Sequence, residues 1–348
     1  MNALEAIIRD AIDARGAMTI AAYMEMALQH PQYGYYRVRE PVGRAGDFVT
    51  APEVSQMFGE MIGMWCAQSW KMLGCPSPFA LVELGPGCGT MMRDILRATA
   101  HVGGFHDAMQ LFLIDSDAAL RDRQREALAD RPPRYIETIG QLPSMPAMIV
   151  ANEFFDALPV RQFEMTFQGW AERVVVVGEA GLGMALRPVS GEEAVLIPPA
   201  WRDARPGAVF EISPAAQGVM RDVAARLVRD KGAMLVVDYG YAAPPGYATV
   251  QAVSRHERAD IFDRPGEVDL TAHVDFTALA GAARAAGAAA SDIVGQGMFL
   301  KNLGIDIRAD MLKKRATLPQ TAAIDCDLER LVSPDKMGEL FKVIEVRG

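Results

Sequence analysis

Cysteine, histidine and clusters of basic residues are all scarce in this chain. The four cysteines, Cys66, Cys75, Cys88 and Cys326, are scattered through 348 residues and form no C-x-x-C pair. The five histidines include no H-E-x-x-H motif, and none lies at metal-ligand spacing. This usage is typical of reduced thiols that pack as small apolar side chains in an intracellular protein. We therefore predict no structural or catalytic metal.

Two further absences narrow the class of protein. No stretch of 18 consecutive apolar residues occurs, so the sequence predicts no membrane span. No lysine- and arginine-rich block occurs, and the formal net charge is −9, which argues against nucleic acid and weakly favours a cationic substrate. The amphipathic first helix carries Glu5, Asp10 and Asp13, unlike a transit peptide, and lacks the apolar core of a secretory signal. A cytoplasmic enzyme is the expectation.

The order of apolar and polar residues predicts an α/β fold with a doubly wound, mostly parallel sheet. We expect an N-terminal helical cap over 1–75 and a cofactor-binding domain over 76–348, where predicted strands and helices alternate. Two insertions interrupt the alternation: about 160–212, predicted as a β-hairpin layer, and about 241–270, predicted as a long loop. The predicted parallel strands are Ala80–Leu84, Gln110–Ile114, Arg134–Ile136, Ala147–Ala151 and Ala233–Val237.

The most informative motif is L-V-E-L-G-P-G-C-G-T at Leu81–Thr90. An apolar strand leads into it and a helical pattern follows, so it predicts a tight turn before a helix N-terminus. Glycine lets the backbone approach a ligand closely, and the free N–H groups of a helix start favour a polar or anionic group. The spacing of Gly85, Gly87 and Gly89, with Glu83 in the strand, favours S-adenosylmethionine (SAM) over NAD. An ordinary strand-to-helix turn is the alternative.

Polar residues also follow other predicted strands, at the edge where open parallel sheets bind ligands. Asp115 follows the second strand and is placed to accept both hydroxyls of a ribose, although it could instead cap the next helix. The segment Ala151–Pro159, A-N-E-F-F-D-A-L-P, puts Asn152, Glu153 and Asp156 at the end of the fourth strand. We predict that this segment contacts cofactor or substrate, and an Asn- and Asp-rich surface turn is the alternative.

Three other polar sites are weaker candidates. Asp238 and Tyr239 close the predicted fifth strand. The loop Gly43–Glu53 precedes a helix, and Thr50 as its N-cap, with proline in the first turn, is a sufficient structural explanation. His273 is a candidate base, although a histidine near a helix start is more often structural.

These motifs together resemble those of one family. In order over Met18–Val346 they are G-D-F-V-T-A-P-E-V-S-Q-M-F-G-E, V-E-L-G-P-G-C-G-T, A-N-E-F-F-D-A-L-P-V, V-V-D-Y-G-Y and Q-G-M-F-L-K-N-L-G-I. The chain resembles the MidA-like methyltransferases, SAM-dependent class I enzymes that include the arginine methyltransferase of mitochondrial complex I assembly. The resemblance implies a seven-stranded sheet whose final strand, Phe341–Val346, runs antiparallel. The family often has Glu-x-Ser-Pro after the second strand, whereas this chain has Asp115 followed by Ser-Asp-Ala, which keeps the carboxylate.

The resemblance also implies roles for residues. It implies that Gly43–Glu53 helps to close over the cofactor and that the acceptor is a protein arginine, with the complex I subunit that carries the quinone-site region as partner. Carboxylates can grip a guanidinium bidentately, and Glu153 and Asp156 are predicted to do so, with Glu211 or Asp238 in reserve. The predicted cofactor-binding residues are Glu83, Gly85, Gly87, Gly89, Asp115, Asn152, Asp47 and Thr50.

Two other functions stay open at this stage. A nicotinamide-dependent oxidoreductase would share the fold. A non-catalytic assembly factor would bind SAM and use the insertions to hold a protein partner. The sequence is also compatible with a homodimer.

Overall fold

The computed structural model describes residues 2–38, 50–115, 120–254 and 257–348. In chain order the α-helices of these residues are α1 (Ala3–Arg15), α2 (Ile20–Gln29), α3 (Tyr35–Val38), α4 (Ala51–Val54), α5 (Gln56–Met72), α6 (Thr90–Thr99), α7 (Phe105–Ala108), α8 (Arg121–Ala127), α9 (Pro214–Asp230), α10 (Phe276–Ala285), α11 (Gln296–Asn302), α12 (Ile305–Lys313) and α13 (Leu318–Val332). The strands are β1 (Met18–Thr19), β2 (Phe79–Leu84), β3 (Met109–Ile114), β4 (Arg134–Ile136), β5 (Ala147–Asn152), β6 (Arg161–Thr166), β7 (Gly169–Gly178), β8 (Gly181–Pro188), β9 (Val209–Ile212), β10 (Gly232–Tyr241), β11 (Gln251–Ser254), β12 (Glu257–Ala259), β13 (Asp269–Thr271), β14 (Val274–Asp275), β15 (Ala289–Ala290), β16 (Val294–Gly295) and β17 (Phe341–Arg347).

The largest sheet has the predicted α/β topology. Its path is β15-β17-β10-β5-β2-β3-β4, seven strands long, and the short strands β14 and β16 pair with β10 and β17. Strands β4, β3, β2, β5 and β10 run parallel, whereas β17 is antiparallel to β10. The predicted fold class is therefore confirmed. The final strand runs antiparallel as expected and extends one residue past its predicted end, to Arg347.

The parallel strands are continuously apolar because helices cover both faces of the sheet. Every residue of β2 and of β5 is buried. Successive side chains of a strand point to opposite faces, so Leu235 packs into the core shared with α5 and α6. Its neighbour Val236 packs into the core shared with α9 and α10. This sandwich leaves the carboxyl ends of the strands as the place for polar side chains.

The two insertions both contain strands. Strands β6 to β9, within the predicted β layer at about 160–212, form an antiparallel sheet that β1 joins. The prediction of a long loop over 241–270 was wrong, because β11 pairs with β12 and β13 in a small antiparallel sheet. These strands are only three or four residues long, too short to show a clear alternation of apolar and polar residues.

Strand β10 is longer than predicted, which changes the place of two candidate residues. It continues past Val237 to Tyr241, so Asp238 and Tyr239 lie within the strand rather than beyond its end. Short β14 extends the pairing there, with Gly240 opposite Val274.

Helix α5 lies before the predicted domain boundary at residue 75, yet it packs on β5 and β10. The division into a cap over 1–75 and a cofactor domain over 76–348 stays a prediction. Within the described ranges, the helices are too short or too polar to cross a bilayer. Over the same ranges, no cluster of three His, Cys, Asp or Glu side chains is arranged to hold a metal ion.

Phe79 offers a test of the core that leaves the ligand edge untouched. It begins β2, at the end of the strand away from the glycine turn, and packs on Trp70 and Phe105 with ring centroids 5.8 and 4.9 Å apart. Phe79→Ala should lower the free energy of unfolding in urea by about 3–5 kcal/mol, because the ring leaves a cavity. The folded variant should bind SAM within about threefold of the wild-type affinity. A large loss of affinity without loss of stability would contradict this separation.

Candidate active site

A cavity of about 300 Å³ lies at the carboxyl ends of the parallel strands. Six predicted site residues line it: Thr50, Gly85, Gly87, Asp115, Glu153 and Asp156. A smaller cavity of about 60 Å³ adjoins the glycine turn and is lined by Glu83 and Asn152 as well. The fold thus brings eight of the ten predicted residues to one place. Of the other two, Asp47 lies outside the described residues.

The glycine turn and the ribose candidate converge on one side chain. Gln124 of α8 donates through Nε2 to the carbonyl oxygen of Gly87 and to Oδ2 of Asp115, each at 2.8 Å. The turn needs glycine, because φ is +62° at Gly85 and +51° at Gly87, a region that other residues avoid. The bend and the carboxylate therefore share one surface of the cavity, as a bound adenosyl group requires.

Gly89 is the tenth predicted residue, and it lines neither cavity. It has a φ of +81° and forms the N-cap of α6. A Cβ there would lie 3.5–3.7 Å from Gln124, Ala127 and Leu128. These are ordinary van der Waals distances, so it is the positive φ rather than the packing against α8 that favours glycine here. Its predicted contact with the cofactor stays a prediction.

Buried acceptors without partners show what the smaller cavity can bind. Glu83 Oε2 and Asn152 Oδ1 have no hydrogen-bond partner within the described part of the chain. A buried acceptor without a donor costs free energy. An ammonium group has three donors and would satisfy both oxygens. SAM carries an α-ammonium group as well as a ribose, so Glu83, Asn152 and Asp115 together fit this cofactor.

Glu153 joins the end of β5 to the first turn of α4. Its backbone has a φ of +48°, which is uncommon for a residue other than glycine. Its Oε1 accepts hydrogen bonds from Ala51 N at 3.2 Å and from Asn152 Nδ2 at 3.3 Å. Burial, reinforced by the nearby Asp156 carboxylate, raises the pKa of Glu153 to about 7. The Glu153 carboxyl group therefore lies at the cavity wall with a pKa close to neutral pH, as is common for functional groups.

Asp156 lines the cavity, and its two carboxylate oxygens differ in their hydrogen bonds. Its Oδ2 accepts a hydrogen bond from the hydroxyl of Tyr239 at 2.5 Å. Its Oδ1 is buried and has no partner among the described residues. Burial raises the pKa of Asp156 to about 6, against the lowering effect of the Tyr239 hydrogen bond. An incoming donor from a ligand would satisfy Oδ1.

Neither reserve residue is placed to hold a substrate in this cavity. Asp238 accepts hydrogen bonds at Oδ2 from the backbone N–H groups of Phe154, Phe155 and Asp156, and at Oδ1 from that of Tyr239. Its carboxylate is therefore already engaged by the backbone.

Glu211 and His273 line a different cavity, of about 260 Å³. The carboxylate of Glu211 accepts hydrogen bonds from Gln162 and Thr249. Burial lowers the pKa of His273, which favours the neutral ring. Both residues lie away from the larger cavity, and their roles as reserve carboxylate and as candidate base stay predictions.

Several lining residues escaped the sequence analysis. Glu137 follows β4 directly, so the rule that found Asp115 at a strand end would have found it too. Tyr36 of α3 and Asp269 of β13 also line the cavity. They come from segments distant in the chain, and no local pattern marks them. Gln124 resembles any other polar residue of a helix.

The larger cavity is anionic. Its wall carries Asp115, Glu137, Glu153, Asp156 and Asp269, and no lysine or arginine of the described chain lines it. A cavity with charges of one sign attracts ligands of the opposite sign. Both the sulfonium of SAM and a cationic acceptor suit such a site.

Comparison with known proteins decides the family. A family described as S-adenosyl-L-methionine-dependent methyltransferases matches residues 61–294. The chain belongs to this family. The methyltransferase is 33% identical to protein arginine methyltransferase NDUFAF7, mitochondrial, of Xenopus laevis, over 96% of this chain and 82% of that protein. The human protein of the same name is 32% identical, over 95% and 80%.

A solved structure supports the same conclusion. A COG1565 superfamily protein from Burkholderia thailandensis, bound to S-adenosyl-homocysteine, matches with a TM-score of 0.85 and 33% identity, over 99% of this chain and 92% of that one. The native structure from the same organism matches with a TM-score of 0.84. SAM is therefore the cofactor of this methyltransferase, and it supplies an activated methyl group when bound.

Replacement of the ribose candidate should weaken cofactor binding. We expect Asp115→Ala to lower the affinity for SAM at least tenfold, or about 1.4 kcal/mol, because two hydroxyl donors lose their acceptor. Isothermal titration calorimetry measures this directly. Asp122→Ala is the matched control, since this carboxylate on α8 is 90% exposed and pairs with Arg125. Equal affinities for the two variants would remove Asp115 from the ribose site.

Proposed function

We propose that this methyltransferase modifies an arginine side chain of a protein. The observation that carries the proposal is the pair Glu153 and Asp156 in one anionic cavity next to Gly85. The names of the relatives support it, because they are protein arginine methyltransferases. A cation of the size of a guanidinium fits the charge and the open acceptors of this cavity.

The two carboxylates fit the chemical demand of the acceptor. A guanidinium keeps its proton, with a pKa above about 12, and its delocalised charge makes it a poor nucleophile. Carboxylates that accept its N–H groups hold it in a fixed plane and concentrate electron density on the remaining nitrogen. Asp156 Oδ1 has no partner among the described residues, so it is available for one such bond. Glu153 lines both cavities and therefore faces the acceptor and the cofactor region alike.

We further propose a subunit of respiratory complex I as the protein substrate, on the family resemblance alone. We also propose a cytoplasmic location, because four scattered cysteines without a C-x-x-C pair are typical of an intracellular protein. The relatives named above are mitochondrial, so the two locations are alternatives that fractionation of the source cells would separate.

The role of Glu153 can be separated from cofactor binding. In Glu153→Gln the amide oxygen can still accept from Ala51 N, but the negative charge is lost. We expect SAM affinity within about threefold of wild type by calorimetry, and a loss of methyl transfer of about 100-fold or more. Transfer is measured by mass spectrometry of an arginine-containing protein substrate.

Glu164→Gln is the matched control for this experiment. Glu164 pairs with Arg173 on the antiparallel sheet, and its loss should leave transfer unchanged. If Glu153→Gln turned over like this control, Glu153 would have no part in the reaction.

The proposal also predicts a dependence on pH. The grip needs ionised carboxylates, and burial raises the pKa of Glu153 to about 7 and that of Asp156 to about 6. Protonation therefore removes the grip as the pH falls through this window. We expect kcat/KM for the protein substrate to rise between pH 5.5 and 8, with a half-maximum near about pH 7. A profile that is flat down to pH 5 would contradict the assignment.

A further inference from the structure

We infer that Asp238 and Tyr239, adjacent on β10, are positioning residues that fix the Asp156 carboxylate at the wall of the larger cavity and leave its Oδ1 open for the acceptor. The inference rests on the proposed function for the identity of the acceptor. The contacts on which it depends lie within this chain and do not involve the acceptor. Neither residue needs to touch the acceptor, since both act through the loop that follows β5.

Asp238 holds the backbone of this loop. The N–H groups of three successive residues, Phe154, Phe155 and Asp156, converge on its Oδ2 at 3.1, 3.0 and 3.3 Å. Successive N–H groups that point inward form a concave site for an anion, and here the anion is a side chain of the neighbouring strand. The left-handed backbone of Glu153, with φ of +48°, precedes these three residues.

The pairing of the two strands explains why Asp238 occupies that place. Strands β10 and β5 run parallel, with Val237 opposite Asn152. The next residue along each strand is Asp238 on one side and Glu153 on the other. Glu153 N donates to the carbonyl oxygen of Val237 at 3.0 Å, which closes the ladder. The loop therefore turns directly over Asp238, which is completely buried.

Tyr239 holds the side chain of the same loop. Its hydroxyl donates to Asp156 Oδ2 at 2.5 Å, and the exposed fractions of Tyr239 and Asp156 are only 7% and 6%. With its backbone held by Asp238 and one oxygen held by Tyr239, the Asp156 carboxylate has one orientation. The oxygen left over is Oδ1, which is buried and without a partner among the described residues.

The carboxyl groups around Asp156 make its ionisation depend on the hydrogen bond from Tyr239. Glu153 of its own loop and Asp238 of β10 are neighbouring carboxyl groups whose pKa values burial raises, and Tyr36 of α3 and Asp269 of β13 also line the cavity wall. No lysine or arginine of the described chain lines this wall. Among the groups that lower the pKa of Asp156 against burial, the Tyr239 hydroxyl has the largest effect, ahead of the backbone N–H groups of Ala157 and Asp156.

Tyr239→Phe tests the inference, because it removes one hydroxyl and keeps the ring. The pKa of Asp156, followed by carbon-13 NMR titration of its carboxylate without any substrate, should rise by about one unit. Because Glu153 already sets the midpoint near pH 7, the acidic limb of the kcat/KM profile should become steeper and its midpoint should rise by only about 0.3 unit. Activity at pH 9 should return to at least half of wild type. A merely structural role would lower activity equally at every pH.

Tyr241→Phe is the matched control for the loss of a hydroxyl. Tyr241 lies two residues further along β10 and lines the other cavity. The Tyr241→Phe substitution should leave both the Asp156 titration and the pH profile unchanged. If Tyr239→Phe behaved like this control, the inference would be overturned.

Asp238→Asn tests whether Asp238 holds the backbone of the loop that follows β5. An amide offers one acceptor oxygen instead of two and adds a donor toward N–H groups, so the loop should loosen. We expect kcat to fall about 30-fold or more, with SAM affinity within about threefold of wild type. Unchanged kcat in this variant would overturn the role of Asp238. If the variant does not fold, retained wild-type orientation of Asp156 in a crystal structure of Tyr239→Phe would overturn the positioning of the carboxylate.

These outcomes separate two failures. If the wild-type enzyme methylates no arginine, the proposed function falls, while the NMR titration still decides the positioning. If the wild-type enzyme is active and the Asp156 titration is the same in Tyr239→Phe, the positioning fails and the proposed function stands.

Discussion

The parallel pairing of β3, β2, β5 and β10 is the constraint on which the site depends. In this register Leu84 lies beside both Ile114 and Ala151, and Asn152 lies opposite Val237. Residues that are far apart in the chain therefore end their strands side by side. Helices cover the faces of the sheet and not this edge, so polar side chains at the strand ends can meet a ligand there. The glycine turn, the Asp115 carboxylate and the loop that follows β5 therefore lie side by side.

The cost of the site is electrostatic. Glu83, Glu153, Asp156 and Asp238 lie close together in a desolvated region, and burial raises the pKa of each of them. A core designed only for stability would avoid such a cluster. Hydrogen bonds from the backbone and from Tyr239 offset part of the cost within the chain. The unsatisfied oxygens of Glu83 and Asp156 leave the rest to be met by cationic ligands, which is the physical reason to regard the cluster as functional.

Local patterns predicted the sheet and several members of the site. Buried parallel strands are short apolar runs, so β2, β3, β5 and the helix after the glycine turn were found nearly to the residue. Asp115 and Glu153 were found because the end of a strand is a local feature. The same rule, applied to β4, would have added Glu137.

The rest depends on tertiary contacts that no local pattern encodes. Gln124 acts only because α8 packs beside the glycine turn. Asp238 looked like a ligand in the sequence, and its role became visible only with the N–H groups that surround it. The strands β11 to β13 are short and paired to one another, so the segment around Asp269 reads as a loop.

The most direct test of this account is a crystal structure of the chain with S-adenosylhomocysteine. The ribose hydroxyls should lie within about 3.2 Å of the Asp115 carboxylate, and the α-ammonium within the same distance of Glu83 Oε2 and Asn152 Oδ1. The open side of the cavity, toward Asp156, should remain free of the ligand. A ligand bound elsewhere, or bound here with its ribose turned away from Asp115, would contradict the account.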